Sequence, residues 1–172
     1  MNGPPPPQRV PADAAAAAAT VDSLIGKITA TIDDAATFTA EELDHGVDGE
    51  WSTVQSLRHM TFVVDVWLGK TILGEADPFH PIGLPPHFIG ATLPGSHIDP
   101  EVTPTFRAAA DVLCGRLAKV RAYADTLTGA ELTREIGTHA KTVAGGLGVL
   151  FDELDAHDSF INRDLAVVRT QR

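Results

Sequence analysis

An all-α fold, a four-helix bundle, is what this chain predicts, and three observations lead to it. Four long stretches repeat apolar residues at spacings of three and four, the period of a helix with one face in a core. No stretch alternates apolar and polar residues as a half-buried strand would. All twelve prolines fall between Pro4 and Pro11 or between Pro78 and Pro104, which leaves the other segments free to be helical. With 172 residues, 44% of them hydrophobic, the chain suits one domain. Residues 1–11 read as a disordered tail and residues 12–172 as a single helical domain.

The tail begins Met1-Asn2-Gly3-Pro4-Pro5-Pro6-Pro7, which has nothing to bury. Pro11 suits the first turn of helix 1, from Ala12 to about Ala36, with Val21, Leu24, Ile25, Ile28 and Ile32 at helical spacing. Thr39 to Asp44 predicts one or two helical turns, and residues 46–49 a loop. Helix 2 follows from Ser52 to Leu73: Ser52 and Gln55 form a capping-box pattern, and Gly74 and Pro78 mark the end. It is apolar on two faces and so has two sets of neighbours. Residues 75–104 form a loop with seven prolines, which caps the bundle and buries Phe79, Ile82, Leu84, Phe88 and Ile89. Loops of that length in a compact domain usually serve a function. Helix 3 runs from Thr103 or Pro104 to Leu127, with Phe106, Ala109, Ala110, Leu113, Leu117, Val120 and Tyr123 inward. Residues 130–141 are polar and carry no clear period. Helix 4 spans about Thr142 to Val168, and Gly145, Gly146 and Gly148 allow close approach of another helix at its start.

Thirteen basic against 23 acidic residues give a net charge of −10, and no two basic residues are adjacent. Nucleic acid and anionic membranes are therefore poor partners. The lone Cys114 rules out an internal disulfide and suits a reducing compartment; it reads as an inert core thiol. No apolar run approaches the roughly 18 residues that cross a bilayer, and Asp13 and Asp22 bracket the alanines from Ala14 to Ala19 too closely for a secretory leader. The expected location is the cytoplasm.

His59 lies within the second apolar stripe of helix 2, beside Phe62, Val63 and Val66, so its imidazole points between helices. A buried imidazole needs a partner for each nitrogen, and either a core hydrogen bond or a metal ion answers that need. On helix 4, Glu153 and His157 are one turn apart and both reach the bundle interior. Two histidines and a carboxylate form the donor set that holds Zn²⁺, Ni²⁺ or Fe²⁺ with positions left open. His80, His87 and His97 read as solvated loop residues, His80 with the option of lining a pocket mouth, while His45 and His139 carry no argument. No Ser-His-Asp set, phosphate-cradling glycine loop or Cys-x-x-Cys pair is present.

Trp51-Ser52-x-x-x-x-Leu57-x-His59-Met60, then Asp65-x-Trp67-Leu68 and residues 73–86, and finally Glu153-x-x-x-His157 with Arg163-Asp164-Leu165, resemble the DinB-like superfamily. Within it the resemblance is to the branch of the N-terminal domain of mycothiol-dependent maleylpyruvate isomerase. The resemblance implies an up-down-down-up bundle, frequently a homodimer, with a divalent metal held at His59, Glu153 and His157. It further implies a low-molecular-weight thiol such as mycothiol as second cofactor, and transfer or isomerisation through its thiolate. Relatives often read Glu-Glu-aromatic-x-His-His on the last helix, whereas here Asp155 and Asp158 flank His157. Their charges are expected to alter the surroundings of the metal. Two functions follow: a metal-dependent thiol S-transferase or isomerase acting on a small electrophile, or a non-catalytic metal-binding or dimerising bundle.

Overall fold

The computed structural model describes residues 7–86, 96–99 and 101–172. Among them the secondary structure is all helical, with a single isolated antiparallel bridge between Glu135 and Thr142 and no strand. Six α-helices follow in order: α1 (Ala14–Ala35), α2 (Ala40–Asp44), α3 (Thr53–Val64), α4 (Phe106–Ala124), α5 (Gly129–Thr133) and α6 (Val143–Thr170). Side-chain oxygens cap all six at their N-termini, from Asp13, Thr39, Ser52, Thr105, Thr128 and Thr142, each satisfying one backbone N–H that a helix start leaves over. The Ser52–Gln55 capping box is complete in both directions.

Helix α1 packs against α4 and α6, and α3 packs against the same two helices. The core between them holds Ile28, Leu57, Met60, Leu68, Leu113 and Leu147, each almost free of solvent, and burial of such a side chain stabilises by about 1.5–3 kcal/mol. In α3 every residue except Gln55 is buried, as two sets of neighbours require.

Helix 2 departs from the regular α-helix expected to Leu73. From Asp65–Ile72 the chain widens to π geometry, and the Leu73 N–H donates to Leu68 O, five residues back. The wider turn lies where the following loop presses closest: a Cβ on Gly69 would stand 2.5 Å from Pro78 Cβ. The glycines of α6 do admit close neighbours. A Cβ at Gly145 would lie 2.0 Å from Ala140 O, and one at Gly146 would meet Ile136 and Ile72.

Three other expectations need correction. Cys114 is exposed on the outer side of α4, because Leu113 and Leu117 already take the inward positions. An 18-residue window within α1 reaches a mean hydropathy of 1.2, so by length and composition this helix is apolar enough to cross a membrane, contrary to the reading of its alanines. In the fold its stripe of Ala17, Val21, Leu24, Ile28, Thr31 and Ala35 is buried against the other helices. Finally, residues 7–11 engage α6. The Gln8 N–H donates to Asp152 Oδ2, the Arg9 guanidinium spans Asp152 and Asp155, and Pro11 is buried. Of the residues expected to bury in the long loop, Phe88 and Ile89 lie outside the described residues.

Candidate metal centre

His59 is 5% exposed, and its ring is fixed by the backbone that follows the helix. Nδ1 lies 2.8 Å from Leu84 O. A carbonyl only accepts, so Nδ1 carries the proton and donates, and Nε2 keeps its lone pair. Several contacts hold that carbonyl in place. The Leu84 N–H donates to Arg58 O at 3.2 Å and Arg58 Nε donates to Ile82 O at 2.8 Å. Nearly two turns further along, Asp65 Oδ2 accepts the His80 N–H at 2.8 Å while Oδ1 pairs with Arg116 of α4. Phe79 stacks on Phe62 with ring centroids 5.8 Å apart. The described part of the loop is thus laced to α3 along the turns that carry His59.

Across from it, α6 supplies Glu153 and His157, one turn apart, with His157 Nε2 3.6 Å from Glu153 Oε2. One donor atom from each of His59, Glu153 and His157 falls within 4.8 Å of the others, a group that could hold a metal ion. Donors bound at about 2.0–2.2 Å to one ion stand roughly 3–4 Å apart, so small side-chain adjustments complete the sphere. The buried His157 Nδ1 has no hydrogen-bond partner among the described residues. An imidazole nitrogen left unsatisfied in this way costs stability unless something else meets it. These observations fit a divalent ion on this donor set.

The surroundings are aromatic. Trp51 lies 4.5 Å from the His59 ring and 5.9 Å from the His157 ring, centroid to centroid, and Phe160 meets His157 edge-on at 5.6 Å. Burial, followed by the proximity of His157, holds the His59 pKa down to about 4. The Glu153 carboxyl is lowered, first by its contact with His157. At neutral pH His59 is therefore a neutral donor and Glu153 an anion, the protonation states that metal binding requires.

Asp155 and Asp158 do not face this group. Asp155 takes ion pairs from Arg9 at 2.6 Å and Lys27 at 2.9 Å, both on the α1 side of the helix. Asp158 is buried near Thr31 of α1 and Asn162, and burial raises its pKa. The charges that distinguish this helix from the resembled pattern serve contacts with the N-terminal segments.

Two pockets meet the histidine group. One, of about 340 Å³, is lined by His59 and Glu153 and by Phe62, Val63, Val66, Trp67 and Pro86, with Thr71 and His139 also lining it. The other, of about 410 Å³, is reached by His157 and lined by Trp51, Ser56 and Phe160 together with Asp48, Glu50 and Asp164. His139, which the sequence did not single out, meets Trp67 edge-on at 5.4 Å. It sits in the short connection between α5 and α6, where no periodicity exists to flag it. His80 packs on the loop and accepts from the Ile82 N–H. His97 pairs with Asp77 at 3.0 Å, and neither it nor the exposed His45 belongs to the group. His87 lies outside the described residues.

A DinB superfamily family model matches residues 34–161 of this sequence. The chain is a DinB superfamily protein, and its three candidate donors lie on the two helices that the match includes. No curated protein and no solved structure gives a significant match.

Proposed function

We propose that this protein binds a divalent metal ion through His59, Glu153 and His157 and uses it as a thiol S-transferase or isomerase of the mycothiol-dependent type, with the up-down-down-up helix order of that branch. The observation that carries the reading is the convergence of the three donors, His59 with its proton held on Nδ1 by Leu84 O and its Nε2 free. Bound there, a divalent ion supplies a lowered thiol pKa, as it does for water. The protein's own residues do the rest. Trp51, Phe62 and Phe160 pack around the two histidine rings, and the apolar pocket beside Glu153 seats the electrophile next to the donor set. The exposed Cys114, whose pKa is raised by partial burial and the nearby Asp111, is a poor nucleophile, so the thiol comes from solution.

The pairing of Asp155 with Arg9 and Lys27 supports this reading, because it removes a negative charge that would oppose a thiolate. The test is a Co²⁺ titration of the metal-free protein followed by a panel of small thiols and electrophiles. Thiol-dependent change in the Co²⁺ spectrum with turnover above the free-thiol rate supports the transferase. Stoichiometric Co²⁺ with neither response supports a metal-binding module, and no Co²⁺ uptake removes the centre altogether.

A further inference from the structure

The pocket beside His59 and Glu153 has a charge character that names a substrate class. Its walls are Phe62, Val63, Val66, Trp67 and Pro86, its polar groups are Thr71, His139 and the two candidate donors, and no Lys or Arg lines it among the described residues. Residues 1–6, 87–95 and 100, which are not described, contain neither Lys nor Arg. Of the basic residues near this end of the bundle, Lys70 and Lys141 are exposed and do not line the pocket, and four others are committed elsewhere. Arg58 is buried and donates to Ile82 O and Asp99 O, Arg116 pairs with Asp65, Lys119 with Glu75 and Arg134 with Glu131.

We propose that this pocket takes an uncharged aromatic or branched apolar group and rejects carboxylates, so the electrophile of the reaction is a neutral molecule and not a di- or tricarboxylate. The inference rests on the metal reading for the location of the reacting atom but not for the selectivity. With an ion bound, its two positive charges are balanced by Glu153 and one thiolate, which leaves no net positive charge for a carboxylate. Without an ion, Glu153 repels one. In either state a carboxylate would be stripped of water beside aromatic side chains with no cation to replace it, which is unfavourable. A neutral ring is favoured by the same walls and by stacking on Trp67 and Phe62.

The experiment compares 2-naphthalenemethanol with 2-naphthoate, two probes of similar shape that differ in charge, by ligand-observed NMR titration on metal-free protein. The alcohol should bind at least tenfold more tightly than the carboxylate, and Trp67→Ala should weaken it severalfold. Thr71→Arg, or His139→Arg on the exposed turn where folding is not at stake, should raise naphthoate affinity severalfold and narrow or reverse the preference. Equal or tighter binding of naphthoate to the unaltered protein overturns the proposal, as does an alcohol affinity indifferent to Trp67→Ala. Because no metal is present, a negative result here is distinct from failure of the metal centre, which the Co²⁺ titration reads separately.

Discussion

His59 joins most of the forces that act at the centre: it is buried, tilted against Trp51 and stacked on Phe62, bonded to Leu84 O and gathered with Glu153 and His157. Replacing it with alanine should abolish stoichiometric Co²⁺ or Zn²⁺ binding, measured by metal content after dialysis; an unchanged content would show that other side chains bind the ion. Its depressed pKa gives a second expectation. In the folded metal-free protein His59 stays neutral down to about 4, whereas the unfolded chain protonates it near the ordinary imidazole value of 6.5. The unfolded state therefore binds more protons between those values, and stability should fall as pH drops from about 6.5 to 4. The contribution is on the order of 3 kcal/mol, at about 1.4 kcal/mol per pKa unit. Urea denaturation of the metal-free protein at several pH values should display this slope, and His59→Asn should flatten it. At this scale part of the site was legible from helical spacing alone, because residues four apart share a face, which put Glu153 and His157 together. The same rule turns a residue two positions from Glu153 about 200° away, so Asp155 faces away from the donor set, toward Arg9 and Lys27, against the expectation that its charge alters the metal's surroundings. The Leu84 carbonyl was not legible, since a backbone oxygen leaves no mark in residue type.

At the scale of elements, the loop after α3 and the π-wide turns from Asp65–Ile72 act as one unit, joined by the buried Asp65–Arg116 pair and the His80 N–H. Asp65→Ala would leave Arg116 half-buried without its partner and free the loop's backbone donor. A loss of about 2–4 kcal/mol is expected, with faster amide hydrogen exchange from His80 to Leu84 than in the helices; equal protection there would show that the pair does not anchor the loop. A tighter constraint lies at the start of α6. Gly145→Ala would drive a methyl group to 2.0 Å from Ala140 O and should cost about 1–3 kcal/mol in thermal or urea unfolding. The long helices were readable because a core-facing stripe repeats over many turns. The π widening was not, because the close approach of Pro78 to Gly69 that accompanies it depends on the path of the loop.

For the molecule as a whole, the all-helical architecture follows from the distribution of proline and from four amphipathic stretches, which is why it was evident before any contact was known. Placement of the N-terminal segment was not evident, because Arg9 and Lys27 find Asp152 and Asp155 through pairings across more than a hundred residues of chain. If the centre binds a divalent ion only when folded, a concentration one hundred times its Kd should add about 2.7 kcal/mol. For a chain of this length the midpoint of thermal unfolding should rise by roughly 5–10 °C. Calorimetry with and without Zn²⁺, repeated on His59→Ala, checks this; an equal rise in both would place the ion elsewhere. The bond from His59 to Leu84 O also gives the resting protein a spectroscopic label. A ring proton held on Nδ1 by a buried carbonyl exchanges slowly with solvent, so nitrogen-15 labelled protein should show it as a discrete downfield resonance before metal is added. Its position and persistence then report, from within the donor set, whether the loop stays closed as each ligand is titrated in.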